Sequence, residues 1–233
     1  MAASGTFNFA PGVGECVLNA LSRIQIRGPA IVAEHMEQAS MEANLMQAEW
    51  SNRGPNLWTV DDKIVPCVSG QAIYSVPQET VMVLDVTIGT DPLGPDGLPY
   101  NEIRITPLSR SDYMSYPNKS NPGRPTSYWF DRLIAPTITL WSVPDASIAY
   151  YLHYYRFRQI QDAVMSGAGN FETPYLWLDA ACAGLSHRLS RHFAPALEQM
   201  RKQDAAEAYK IAADQNVEDA PLRVSPMLSG YYR

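Results

Sequence analysis

Two tryptophans, Trp50 and Trp58, bracket the stretch Trp50-Ser51-Asn52-Arg53-Gly54-Pro55-Asn56-Leu57-Trp58, and the hydrophobic period changes across it. Before it, apolar residues recur at Val32, Met36, Ala39, Ala43, Met46 and Trp50. Steps of four and three place them on one face of a helix. After it come short β-branched and aromatic runs broken by Pro, Gly and Asn, the pattern of strands and turns. Arg53-Gly54-Pro55 stops the helix: a basic last turn, a glycine free to take positive φ, then a proline that cannot continue. Helical spacing returns only near Phe171. The expected fold is therefore α+β, a helical bundle from the N- and C-terminal helices with an inserted antiparallel β-sandwich or barrel. The expected division is 10–53 with 172–217 for the bundle, 56–165 for the β domain and 219–233 for an extended tail.

In the first helical segment, Gly12 to Arg27 carries Val13, Val17, Leu21 and Ile24 at helical steps. Gly28-Pro29 links it to the long helix of residues 30–52, and so short a link predicts an antiparallel hairpin. Strands are expected at 57–60, 63–68, 72–76, 81–88, 102–105, 128–130, 137–141 and 147–157. Ala72, Tyr74 and Val76 should share one face of theirs, with Ile73 opposite. Val81 to Ile88 reads as a strand covered on both faces. A short helix is expected at 108–116 and an exposed loop at 91–99, where Pro and Gly cluster. Thr173-Pro174 predicts an N-cap and first turn. Leu178, Cys182, Leu185, Leu189 and Phe193 then form a stripe, with Ala180, Ala181, Ala183 and Gly184 small enough for another helix to approach. A last helix runs to about Val217 with Leu197, Met200, Ala208 and Ile211 inward.

Chemistry-bearing patterns are weak. No GxSxG, GxxxxGK[ST] or HExxH occurs, so no catalytic residue, cofactor or metal is expected. Gly167-Ala168-Gly169-Asn170 holds a GxG without a third glycine and reads as a turn before a helix. His187 and His192 are five apart and do not share a helix face as ligands four apart would. With Arg188 and Arg191 they read as a solvated or intersubunit face. Glu34, Glu37 and Glu42 read as a charged outer face. The aromatic strand Tyr150 to Arg158 has the interleaved Tyr and Arg that stack bases or sugars, yet it is apolar on both faces, which favours a core strand.

Charge and cysteines narrow the class further. The net charge, 18 − 24 = −6, argues against wrapping of phosphates. Cys16, Cys67 and Cys182 lack CxxC spacing and fit folding in a reducing compartment. Met-Ala-Ala-Ser-Gly-Thr has neither the basic nor the apolar part of a signal peptide, and no apolar run approaches 18 residues, so neither secretion nor a membrane partner is expected.

Several motifs together carry a resemblance. They are the N-terminal helices ending in Glu49-Trp50 and Asn56-Leu57-Trp58, Gly70-Gln71 with Tyr74 and Pro77, and Val81 to Ile88. Pro125 with Tyr128-Trp129-Phe130-Asp131-Arg132, Thr137 to Pro144, and the C-terminal helices complete the set. Over residues 12 to about 215 the chain resembles the head-to-tail adaptor proteins of short-tailed bacteriophages, including the family called tail tubular protein A. The resemblance implies a non-enzymatic structural protein of the virion, made in the host cytoplasm and placed at the head-tail junction. It implies a ring, commonly of twelve subunits, between the portal protein and the downstream tail (nozzle) protein. Duplex DNA would pass through that ring without specific binding. Residues 219–233 contain Pro221, Pro226 and Gly230 and no periodicity, but Leu222, Val224, Met227, Leu228, Tyr231 and Tyr232 are too apolar for a solvated end. The resemblance assigns those six residues to portal binding. The alternative reading is a tail-associated β-sandwich carbohydrate-binding module using exposed Tyr and Trp; a hydrolase ranks third.

Overall fold

The computed structural model describes residues 5–6, 8–54, 56–94, 97–165 and 169–217. Helix α1 (Val13–Arg23) opens the fold, and the Glu15 carboxylate accepts a 3.1 Å hydrogen bond from the Gly12 N–H, satisfying an otherwise free donor at its start. Helix α2 (Ala33–Arg53) follows a 3-10 turn at Gly28–Ala30 and is stopped, as the sequence requires, at Gly54, whose φ is 149°. Ala39, Ala43, Met46 and Trp50 are buried along it, while Val32 stays exposed. The predicted strand at 57–60 is instead a 3-10 turn, Leu57–Thr59, because the Thr59 N–H and hydroxyl both bond back to the Asn56 carbonyl.

Eight strands follow: β1 (Val60–Pro66), β2 (Ile73–Ser75), β3 (Thr80–Leu93), β4 (Pro99–Arg104), β5 (Thr106–Pro107), β6 (Ser127–Asp131), β7 (Thr137–Trp141) and β8 (Tyr150–Arg158). Helix α3 (Arg110–Ser115) sits between β5 and β6, capped by the Ser109 hydroxyl, which accepts from the Asp112 N–H at 3.0 Å. The strands form two four-stranded sheets, β1-β8-β3-β4 and β2-β7-β6-β5. All pairings are antiparallel except the short β5–β6 pair, so the second sheet is mixed. The β region is thus two open sheets and not a barrel. They share a core in which Tyr74, Val76, Tyr128, Ile138 and Leu140 from one sheet meet Val86, Ile88, Leu152 and Tyr154 from the other.

Side-chain alternation holds on β2, where Tyr74 is buried and Ile73 is 56% exposed. It fails for β3, read as covered on both faces. Val86 and Ile88 are buried, but Asp85 is exposed and Thr87 only half-buried. Among the expected loop residues 91–99, Asp91 to Leu93 continue β3 and Pro99 begins β4. The hairpin turns through Gly94 and Gly97, where the Gly94 N–H donates to the Leu98 carbonyl at 2.7 Å.

Helices α4 (Leu178–Phe193) and α5 (Glu198–Ala213) close the fold. Helix α4 does not start at Thr173-Pro174: Pro174 precedes a 3-10 turn, Tyr175–Trp177, and the α-helix begins after it with no side-chain cap. Helices α1 and α2 do not pair as a hairpin. Helix α4 is the element on which both pack, and α5 covers another side of it. Leu185 and Leu189 are fully buried beside Val17, Leu21, Ala43 and Met46. Each such side chain contributes about 1.5–3 kcal/mol by leaving water. Gly184 is where α2 comes closest: a Cβ there would lie 2.7 Å from the Met46 sulfur. On α5 the expected inward face is wrong. Met200 and Ile211 are 46% and 64% exposed, and the inward residues are Ala208, Tyr209, Ala212 and Ala213.

Candidate functional site: the helical seam and the cleft beside it

The two tryptophans that bracket the change of period converge in space. The rings of Trp50 and Trp58 lie 5.2 and 4.8 Å from that of Trp177, and Tyr209 of α5 closes the cluster with its ring 5.3 Å from Trp177. The Arg53 guanidinium lies over Tyr209 at 4.2 Å, a cation–π contact that ties the end of α2 to α5. The turn from helix to strand is therefore pinned from both sides.

A charged seam runs along α2 and α4 beside this cluster. Arg188 donates to Glu42 at 2.9 Å and to Glu49 at 2.6 Å, His192 pairs with Glu42 at 3.0 Å, and Arg53 bridges to Glu49. Burial alone would push the Glu42 carboxyl up, but the hydrogen bonds from Arg188 and His192 outweigh it and hold it below the usual carboxylate range. For Glu49 burial is likewise opposed by hydrogen bonds, here from Arg53 and Arg188, and the net shift is again downward. His187 reaches Glu198 at 3.2 Å and so joins α4 to α5. The face expected to be solvated or intersubunit therefore divides. The side chains of His187 and Arg188, 14% and 15% exposed, work within the chain, whereas Arg191 and His192 remain open to solvent. Glu34 and Glu37 are exposed as expected; Glu42 belongs to the seam.

A second ionic group joins the sandwich to the segment that returns to the helices. Arg156 of β8 is 3% exposed and makes paired hydrogen bonds to Asp61 at 2.7 and 3.1 Å. It also donates to Glu79 at 3.0 Å and to the Thr80 hydroxyl at 2.8 Å. Burial of this guanidinium is thus matched by partners on β1 and at the start of β3. Arg158 grips Glu172, whose carboxylate also accepts from the Gln161 N–H at 2.8 Å; Arg158 in turn holds that carboxyl below its usual range.

The aromatic strand takes its core role. Tyr150, Leu152 and Tyr154 are buried between the sheets, and only Tyr155 is well exposed, at 47%. His153, on the other face, is buried and hydrogen-bonded to Glu102 at 2.6 Å. Trp129 and Trp141, which a sugar-binding platform would need bare, are covered by Tyr113 and Tyr116 of α3 and its end, at ring distances of 5.4 and 4.2 Å. Gly169, from the GxG stretch, accepts a 2.8 Å bond from the Val13 N–H at the start of α1, a packing role. Gly167 and Ala168 lie outside the described residues, as do the six residues assigned to portal binding: Leu222, Val224, Met227, Leu228, Tyr231 and Tyr232.

Between α2 and the β6–β7 hairpin lies a cleft of about 560 Å³, lined by Gln47 and Ala48 on one side and Arg132, Leu133 and Ile134 on the other. Ile134, at the hairpin tip, is 85% exposed. The Gln47 side chain is 97% buried, and its amide nitrogen has no hydrogen-bond partner among the described residues. The sequence hinted at only one wall, an apolar Leu133-Ile134 pair where a strand turn is expected to be polar. The other walls come from residues 44–52, 78–81 and 159–162, which only the fold brings together.

No group of three or more His, Cys, Asp or Glu side chains among the described residues is placed to hold a metal ion. No helix among them is long and apolar enough to cross a membrane. Compared with known families, residues 32–225 match the family model described as SU10 adaptor protein. No curated protein matches the chain. The family match agrees with the resemblance carried by the sequence motifs, at the level of a phage head-to-tail adaptor.

Proposed function

Because the chain belongs to the SU10 adaptor protein family, a family of phage structural proteins and not of enzymes, we propose that it forms a ring between portal and tail. In this reading the ring docks on the portal protein, receives the downstream tail (nozzle) protein and leaves a central channel for duplex DNA. Twelve subunits is the expected number. The helices, 10–53 with 172–217, and the sandwich, 56–165, form two units that present different surfaces to the two neighbours. Residues 219–233 reach the portal.

The observation that carries the reading is the apolar surface left on the outer faces of two helices. Met41 and Leu45 of α2 are 61% and 47% exposed, and Met200 and Ile211 of α5 face outward although their own core lies on the opposite side. Met41 and Leu45 are four apart and Met200 and Ile211 eleven apart, so each pair lies along one stripe. A closed ring needs two such lateral surfaces on every subunit, one to give and one to receive. The test is Met41→Asp combined with Ile211→Asp. Both positions are exposed, so the melting temperature should stay within about 2 °C of the parent, in line with the small effect of surface substitutions. Co-sedimentation with purified portal as a ring should be lost. Unaltered ring assembly by the double variant would remove these stripes from the interface.

A further inference from the structure

We propose that the cleft between α2 and the β6–β7 hairpin is the seat of this chain's own C-terminal segment, residues 219–233, in the free subunit. The inference stands on the cleft and on where the described chain ends, and it does not depend on ring formation.

The path is short. The Asn216 side-chain oxygen accepts a 3.0 Å hydrogen bond from the Leu57 N–H, so the end of α5 is fixed against the segment that follows α2. Leu57 is five residues beyond Asn52, which lines the cleft, so the two lie within about 18 Å along the chain. Sixteen residues, 233 − 217, remain beyond Val217, enough to span about 55 Å when extended. Five of them bring Leu222 to the cleft, and the rest suffice to fill it.

The chemistry also matches. Gln47 offers a buried amide donor that lacks an acceptor, and each residue of an extended segment brings a carbonyl. Leu133, Ile134 and Ile160 give the cleft its apolar wall, and Leu222, Val224, Met227 and Leu228 are of the size to cover it. The cleft has two side-chain charges, Arg132 and Asp162, and neither makes an ion pair among the described residues. The segment carries Glu218 and Asp219, then Arg223, one sign for each. Pro221 and Pro226 remove donors that such a seat, whose free group is itself a donor, would leave unanswered. Seated there, the segment keeps Leu133 and Ile134 from solvent and from other copies until a competing partner draws it out.

The test uses the full chain with benzoylphenylalanine in place of Ala48, an exposed residue of the cleft wall. After irradiation, peptide mapping at monomer mass should find cross-links to residues 219–233. Adding Ile134→Asp and Arg132→Glu, both at exposed positions, should cut that cross-link at least fivefold while the melting temperature holds. Cross-links confined to residues of the cleft itself would overturn the proposal. So would tail cross-links found only at dimer mass, since a second copy would then supply the segment, or a yield indifferent to the two cleft substitutions.

Discussion

Replacing Arg188 by alanine tests the helical seam most sharply. The Arg188 side chain is 15% exposed and faces Glu42, 14% exposed, and Glu49, 43% exposed. Removing one member of a fully buried ion pair costs about 3–5 kcal/mol, because the other charge is left unpaired. An exposed pair is worth about 0.2–1 kcal/mol. Glu42 keeps His192 and some solvent contact, and Glu49 keeps Arg53, so the loss should be about 2–3 kcal/mol. At about 2–4 °C per kcal/mol for a chain of this size, the melting temperature should fall by about 4–12 °C. The pH dependence gives an independent readout. Glu42 has a folded pKa below its ordinary value of 4.5, so its contribution is present above that pH and is lost as pH falls through the folded pKa. In Arg188→Ala that acid-linked loss should shrink, and adding Glu42→Gln should recover part of the stability at pH 7. Calorimetry and urea unfolding across pH 3–7 measure all three effects. A loss below about 0.5 kcal/mol with an unchanged pH profile would show that the seam is solvated and energetically idle.

Three further outcomes follow from the same architecture. Leu185→Asp, at a fully buried position between α1, α2 and α4, should unfold the protein, since a buried carboxylate without a partner costs several kcal/mol, on the order of the whole stability; a retained melting temperature would refute the helical core. The net charge of −6 should leave the isolated protein without measurable binding to duplex DNA at physiological salt, and a salt-dependent micromolar affinity in fluorescence anisotropy would point to a true nucleic-acid binder. Deleting residues 219–233 should lower the melting temperature by less than about 4 °C, the value of a contact worth about 1 kcal/mol, and should abolish co-sedimentation with portal. Full portal binding by the shortened chain would remove the tail from that contact.

Much of the architecture was legible because its signals are local. The arrest of α2 at Gly54, the alternation on β2, and the stripe through Leu185 and Leu189 all depend on residues within a few positions of one another. The errors came where packing overrides local pattern. Met200 and Ile211 are the large apolar residues of α5, yet the helix buries Ala208, Ala212 and Ala213, because only small side chains let it lie close to α4. A short link made α1 and α2 look like a hairpin, but the small residues of α4, with Gly184 against Met46, let that helix take the position between them. Leu57 to Thr59 have strand composition and form a 3-10 turn because Asn56 captures the backbone locally. The ionic seam and the cleft were least legible of all. Arg188 and Glu42 are 146 residues apart, and the cleft draws on four separate segments.

The account's central claim is that this chain assembles as a ring on a portal. Native mass spectrometry of the full-length protein mixed with purified portal protein from the same phage tests it most directly. The expected result is one dominant complex carrying a fixed, closed number of adaptor subunits, twelve in the simplest case, and able to take up the tail protein afterwards. Adaptor that stays apart from the portal, or that binds with no preferred number, would contradict the claim.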